Sequence, residues 1–110
     1  MRFYVLILAN ELKPFLEYQK KVIEREFPYS LEKAGCEIER LTIGEKYMEL
    51  VFLIPVRADI KQALDKVINE CNQYGNFLSQ VFTITNVKEL SAEEVEEIIK
   101  KNGGNSQASH

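Results

Sequence analysis

The chain begins with an uncharged hydrophobic run, FYVLILA, at residues 3–9. Successive side chains of a β-strand point to opposite faces, so this run predicts a strand that is apolar on both faces. A second run, YMELVFLIPV at 47–56, predicts another strand of the same kind. The segments CEIERLTI at 36–43 and SQVFTITNV at 79–87 mix apolar with polar positions and predict strands that have a polar face.

Two local features are expected around the hairpin that joins the second and third strands. The alternation at 36–43 changes phase in its middle, which predicts a β-bulge near Glu39–Arg40. The segment GEK then predicts a tight turn in which Gly44 adopts a positive φ.

Apolar residues recur at helical spacing after the first strand and predict a long first helix. This helix is expected to begin at Asn10 or Glu11 and to tolerate Pro14, because a first-turn N–H has no helical partner to lose. Pro28 is expected to bend or break it, and Gly35 to end it.

The second and third helices carry clear start signals. Asp59 followed by Gln62 predicts the N-cap of the second helix, which ends at Gly75. Ser91 followed by Glu94 is the spacing of a capping box, in which each residue satisfies a backbone N–H near the other. It predicts the start of the third helix.

The element order predicts an α+β fold, a two-layer sandwich of the ferredoxin-like βαββαβ type. Its antiparallel four-stranded sheet has the order 4-1-3-2, with the two doubly apolar strands in the centre and two helices on one face. A C-terminal helix at 92–101 completes a single domain at 1–101, and the polar tail at 102–110 is expected to be disordered. The core is expected to include Leu16, Ile23, Leu64, Val67, Ile68, Phe82 and Ile84.

The second face of the sheet lacks an obvious cover. Its residues are left open by the pattern: Phe3, Val5 and Ile7 or Tyr4, Leu6 and Leu8, beside Tyr47, Val51 and Leu53 or Met48, Leu50 and Phe52. At about 25 cal/mol per Å², leaving such a face wet would forfeit several kcal/mol. The third helix could lie over it, but its apolar stripe is narrow, so a second copy of the sheet is the expected cover. The predicted homodimer interface is Tyr4, Leu6, Leu8, Tyr47, Val51, Leu53, Val95, Ile98 and Ile99.

Charge argues against a polyanionic partner. The net charge of the 110 residues is −3, and the acidic surplus lies in ELSAEEVEEIIKK at 89–101. Proteins that bind nucleic-acid backbones carry a basic surface, so nucleic acid is not expected as a partner. A membrane is not expected either, because no apolar run approaches the roughly 18 residues that span a bilayer. The first residues do not resemble a secretory signal, which predicts a cytoplasmic location.

The sequence offers little catalytic chemistry. Its single histidine is His110, and Cys36 and Cys71 lie far apart without the spacing of a zinc or redox motif. Glu37, Glu39 and Glu49 could in principle hold a metal ion across a hairpin, although ordinary surface acids are the favoured interpretation. No catalytic, cofactor-binding or metal-ligating residue is therefore predicted, and no cofactor.

These observations predict a small non-catalytic interaction or regulatory module that forms a homodimer through the open face of its sheet and that has a possible protein partner. Two alternatives remain. The chain could bind RNA by stacking bases on Tyr4 and Tyr47, if both lie on the open face. It could also be a small-molecule sensor that binds its ligand between subunits.

Overall fold

The computed structural model describes residues 1–55, 58–86 and 88–108, of which 103–108 are described as backbone. The elements are β1 (Arg2–Ala9), a 3₁₀ turn (Asn10–Leu12), α1 (Glu17–Lys33), β2 (Glu37–Ile43), β3 (Tyr47–Leu53), α2 (Ile60–Asn72), β4 (Leu78–Thr85) and α3 (Ala92–Ala108). Strands β3 and β4 end earlier than predicted, and the predicted terminal residues Val56 and Val87 lie outside the described residues.

The four strands form one antiparallel sheet of order β2-β3-β1-β4, as the element pattern predicted. The α+β class is therefore confirmed, and the topology is compatible with a ferredoxin-like unit followed by a C-terminal helix. The register of β2 against β3 shifts between Ile38 and Arg40, which confirms the predicted bulge. In the centre of the sheet, Tyr4 of β1 lies opposite Val51 of β3 and Thr85 of β4.

Helices α1 and α2 pack on the face of the sheet that carries Val5, Ile7 and Phe52. The predicted core is mostly confirmed, because Ile23, Leu64, Val67 and Ile68 are fully buried and Phe82 is half-buried against them. The prediction is wrong for two residues, which are exposed and not in the core. Leu16 is 57% exposed because α1 begins after it, and Ile84 is 37% exposed near the end of the edge strand β4.

The first helix begins later than predicted, but it ends as predicted, at Lys33 with Gly35 following at a φ of 89°. Residues 10–12 form a separate 3₁₀ turn, in which Glu11 and Leu12 have φ of 57° and 55°, so α1 cannot run through them. Pro28 lies inside α1 and does not end it. Phe27 and Leu31 on either side are fully buried, and this packing holds the helix together across the missing N–H.

The structure confirms the predicted start signals of α2 and α3 but not the predicted conformation of the β2–β3 turn. The Asp59 carboxylate accepts a hydrogen bond from the Gln62 N–H at 3.1 Å, as predicted. Ser91 and Glu94 exchange both bonds of the predicted capping box, at 2.9 and 3.2 Å. Gly44 has no positive φ, contrary to prediction. Glycine is needed there because an added Cβ would lie 2.8 Å from the Tyr47 ring.

The second face of the sheet is covered by α3 of the same chain. A second apolar cluster forms there from Tyr4, Leu6, Leu8, Val51 and Val95, with half-buried Leu12, Tyr47, Leu90, Ile98 and Ile99 around it. Eight of the nine residues predicted to contact a second copy thus pack inside the chain, and Leu53 is half-buried outside this cluster. The cover that the prediction sought from a partner is supplied by α3.

Helix α3 is also longer than the sequence pattern predicted. It continues to Ala108, seven residues past the predicted end at 101, so most of the expected tail at 102–110 is helical. Residues 109 and 110 lie outside the described part of the chain. Within the described residues, none of the helices combines the length and the hydrophobicity that a membrane crossing needs.

Candidate functional site

The five tyrosines of the chain divide into two groups by exposure. Tyr4 is 2% exposed and Tyr47 is half-buried, both on the α3 side of the sheet. Tyr18, Tyr29 and Tyr74 are 49%, 60% and 50% exposed, and all three belong to the α1–α2 side. An exposed tyrosine ring is available to a ligand, whereas a buried one is part of the core.

The two tyrosines that the sequence suggested for base stacking are not accessible for it. The Tyr4 hydroxyl donates a 2.5 Å hydrogen bond to the Glu49 carboxylate. Burial, reinforced by this bond to an anion, holds the pKa of Tyr4 well above its usual value, so its hydroxyl stays protonated. The Tyr47 ring lies against Gly44 at the hairpin turn and packs beside the cluster under α3.

The geometry of α1 places two of the exposed tyrosines on one side of the helix, together with an arginine. Tyr18, Arg25 and Tyr29 are spaced seven and four residues apart, so at about 100° per residue they lie within about 40° of one another. Ile23 and Phe27 occupy the opposite side of the helix and are fully buried. Packing of that side against the sheet therefore turns the two tyrosines and the arginine toward solvent.

Tyr74, just after α2, joins this row through two contacts. Its carbonyl oxygen accepts a hydrogen bond from the Tyr18 hydroxyl at 3.3 Å, and the Arg25 guanidinium lies 5.2 Å from the centre of its ring. At the other end of the row, the Lys33 ammonium lies 5.0 Å from the centre of the Tyr29 ring. We name this surface the tyrosine face, made up of Tyr18, Arg25, Tyr29, Lys33 and Tyr74.

A groove opens beside the tyrosine face, at the end of the sheet where β1 leads into the 3₁₀ turn. It has a volume of about 580 Å³, and we name it the end groove, lined by Asn10, Glu11, Lys13, Pro14, Leu16, Gln19, Gly75, Asn76 and Phe77. The Asn10 N–H donates to the Phe77 carbonyl at 2.8 Å, and its side-chain amide donates to the Asn76 carbonyl at 3.1 Å. These two hydrogen bonds join the two walls of the end groove.

The α3 side of the sheet is acidic, whereas α1 carries four acidic and four basic residues. Arg2 pairs with Glu39 at 2.9 Å and with Glu89 at 3.3 Å, and Glu89 also pairs with Arg40. The hydrogen bond from Arg40 lowers the pKa of Glu89. Both arginines are thus compensated locally, and the outer side of α3 adds exposed carboxylates, which leaves this side acidic.

The carboxylates considered for a metal ion have other partners. Glu39 pairs with Arg2 and Glu49 accepts from Tyr4. Among the described residues, no group of three or more histidine, cysteine, aspartate or glutamate side chains is placed to hold a metal ion. Cys36 and Cys71 are buried free thiols, and burial raises the pKa of Cys71 to about 12.

The fold is shared with two solved transposases. A candidate transposase from Deinococcus radiodurans R1 superposes with a TM-score of 0.74 at 11% sequence identity, over 92% of this chain and 89% of the other. A REP-associated tyrosine transposase bound to a REP hairpin superposes with a TM-score of 0.66 at 10% identity, over 87% of this chain and 60% of the other. At these identities the likeness is one of fold. No family model and no curated protein matches the chain.

These comparisons correct the functional prediction. The sequence indicated a non-catalytic, homodimeric protein–protein interaction module for which nucleic acid was not expected as a partner, and that description is wrong, because the structural neighbours are transposases and one of them holds a hairpin. The sequence reasoning also missed the tyrosine face. Its one readable signal was the spacing of Tyr18, Arg25 and Tyr29 on the polar side of α1.

Proposed function

We propose that this chain binds DNA in a transposition-related role, and that the tyrosine face is its contact surface. The observation that carries the proposal is the grouping of three exposed tyrosines with an arginine and a lysine on one side of the molecule. Aromatic rings and guanidinium planes are the groups on which unpaired bases stack. The fold likeness to a transposase that is bound to a REP hairpin supports the same class of partner.

Charge favours this side over the other. On the α3 side the exposed carboxylates would repel phosphates, and its arginines are engaged with Glu39 and Glu89. On the tyrosine face, Arg25 and Lys33 lie over aromatic rings and are both exposed. Arg25 has one long ion pair, to Glu26 at 3.5 Å, whereas Glu89 on the α3 side pairs with two arginines. Because the whole chain has a net charge of −3, binding should depend more on stacking than on the release of counterions.

Stacking also selects the form of the DNA. The bases of a continuous duplex are stacked on each other and present no free face, whereas a hairpin offers the unpaired bases of its loop and ends. We therefore expect a hairpin or a single strand to bind more tightly than a blunt duplex of the same composition. A cytoplasmic location belongs to the same proposal, since the two free thiols suit a reducing compartment.

The test is a fluorescence-anisotropy titration of a labelled DNA hairpin, a single strand and a blunt duplex at about 150 mM salt. Tyr18→Ala and Tyr74→Ala should each weaken hairpin binding about 5- to 150-fold, the range measured for one stacked base. Val81→Ala, on the exposed side of β4, is the control for loss of an exposed apolar side chain and should bind as the unaltered protein does.

A second set of variants tests the contribution of charge to DNA binding. It compares Arg25→Gln with the control Lys61→Gln, which removes a cation that pairs with Asp65 on the surface of α2, outside the tyrosine face. Arg25→Gln should weaken binding of the hairpin, and Lys61→Gln should leave it unchanged. The proposal fails if the unaltered protein does not bind the hairpin at tens of micromolar, or if Tyr18→Ala and Tyr74→Ala bind it as tightly as the unaltered protein.

A further inference from the structure

We infer that the end groove receives one unpaired nucleotide that adjoins DNA held on the tyrosine face. The inference rests on the proposed function, because it assigns a subsite to the same ligand. It follows from three features of the groove: its size and lining, its continuity with Tyr18 and Tyr74, and the contacts that brace its walls.

The lining suits a flat base with polar edges. A volume of about 580 Å³ lies within the range of roughly 300–1,000 Å³ that is typical of small-molecule sites. Pro14 and Leu16 are exposed and provide apolar surface for the face of a base, while Asn10 and Asn76 contribute side-chain amides to the lining. The Gln19 amide oxygen accepts from the Leu16 N–H at 2.9 Å, and the Asn10 amide nitrogen donates to the Asn76 carbonyl, so the Asn76 amide is the main group offered to the edge of a base. An amide both donates and accepts, which is what the edge of a nucleobase requires.

The lining of the groove also includes one charged side chain of each sign. Lys13 and Glu11 line it, and their side chains pair at 3.1 Å. A bound nucleotide can compete for both partners, because its phosphate accepts from an ammonium and its exocyclic amino group donates to a carboxylate. A polyphosphate would fit this groove less well than a single nucleotide, since Glu11 would repel the added charge.

Gly75 makes the groove continuous with the tyrosine face. It lines the groove, and a Cβ added to it would lie 3.2 Å from the Tyr18 hydroxyl oxygen. Its φ of 127° is also a conformation that residues with a side chain rarely adopt. The backbone between Tyr74 and Asn76 therefore has no side chain that would separate a base stacked on Tyr18 or Tyr74 from a neighbouring base in the groove.

Contacts within the protein brace the walls of the groove. The Phe15 ring meets the Phe77 ring edge-on, with centroids 6.2 Å apart and planes at 88°, and both are buried. The Phe15 N–H donates to the Glu45 carbonyl at 2.9 Å, which ties the segment after the 3₁₀ turn to the β2–β3 hairpin. Little ordering entropy is then lost at the groove on binding.

The experiment compares a blunt hairpin with the same hairpin extended by one unpaired nucleotide, at the 5′ or the 3′ end. The unaltered protein should bind one of the extended hairpins at least about fivefold more tightly than the blunt one. Asn76→Ala should reduce that ratio to within about twofold without changing the affinity for the blunt hairpin. Asn86→Ala, which removes another exposed loop asparagine outside the groove lining, should keep the full ratio.

The two proposals fail in different ways. Equal binding of the blunt and both extended hairpins by the unaltered protein would overturn the subsite and leave the tyrosine face standing. An NMR titration with the four deoxynucleoside monophosphates tests the groove without a hairpin. At least one of them should shift the side-chain amide signals of Asn10, Gln19 and Asn76 to saturation. Shifts that do not saturate, or that are as large in Asn76→Ala, would overturn the subsite even if the hairpin binds.

Discussion

The buried and the exposed tyrosines show how one side-chain type serves two purposes in the same small fold. Tyr4 lies under α3 with its hydroxyl bonded to Glu49, so its polar atom is satisfied inside the protein. Tyr29 and Tyr74 leave about half or more of their surface in water, and their rings are met by Lys33 and Arg25 instead. The first arrangement stabilises the chain, whereas the second offers ring surface to a ligand.

The difference between the two groups arises from α3. This helix supplies Val95, Ile98 and Ile99 to the face of the sheet on which Tyr4 and Tyr47 lie, and it turns its carboxylates outward. The outer side of α1 and α2 has no such cover within the described residues. A fold of this kind could have used its sheet for recognition, but in this chain the sheet is enclosed on both faces and the accessible aromatic surface lies on the helices.

The largest effect that tests this contrast is the loss of a side chain under α3. Leu6→Ala should lower the free energy of unfolding by about 2–5 kcal/mol, because Leu6 is fully buried in the second cluster. Val81→Ala should change it by less than about 0.5 kcal/mol, because Val81 is exposed. Both are measured by urea denaturation. A loss below about 1 kcal/mol for Leu6→Ala would mean that α3 does not pack on the sheet.

The next effect concerns the hydroxyl of Tyr4. Tyr4→Phe removes a hydrogen bond to the Glu49 carboxylate and should cost about 1.5–3 kcal/mol of stability, the range for bonds to charged groups. Tyr29→Phe is the matched control, and it should leave the free energy of unfolding nearly unchanged because this side chain is exposed. Equal costs for the two substitutions would contradict the division of the tyrosines into a structural and an accessible group.

Much of the fold could be predicted from the sequence because its signals are local. The doubly apolar segments at 3–9 and 47–56 place β1 and β3 in the centre, and the Ser91–Glu94 spacing identifies the start of α3. The cover of the second face could not be predicted in this way. The narrow stripe of α3 suffices because Leu12 and Leu90, which lie outside the helix, complete its apolar cluster.

The tyrosine face could not be predicted from local sequence patterns, for a different reason. Tyr18 and Tyr74 are 56 positions apart and meet only when α1 packs beside α2. The end groove depends in the same way on segments far apart in the chain, as the bond from Asn10 to Asn76 shows. The bend of the chain into that groove relies on positive φ at Glu11 and Leu12, two residue types that give no sequence signal for it.

The pH dependence of stability provides a third test of the buried group. Burial raises the pKa of Cys71 to about 12 and holds that of Tyr4 above its reference of 10.0. The unfolded chain therefore loses these protons first as pH rises, so stability should fall from about pH 9 and more steeply above pH 10, by up to about 1.4 kcal/mol per pH unit for each group. Tyr4→Phe should remove the steeper part in urea denaturation at pH 8–11.5. An unchanged pH profile in this variant would show that Tyr4 ionises equally easily in the folded and unfolded states.

The smallest effect is expected where the rings are exposed. A double-mutant cycle of Arg25→Ala and Tyr74→Ala measures the coupling of this cation and this ring, which should be about 0.5–1 kcal/mol of stability, as for exposed cation–π pairs. The same substitutions should weaken hairpin binding by at least about fivefold, because the ring and the guanidinium plane are the groups that a base would contact. A coupling above about 2 kcal/mol without any change in DNA affinity would place Tyr74 with the structural tyrosines instead. A side chain with those two properties stabilises the fold and does not contact the DNA.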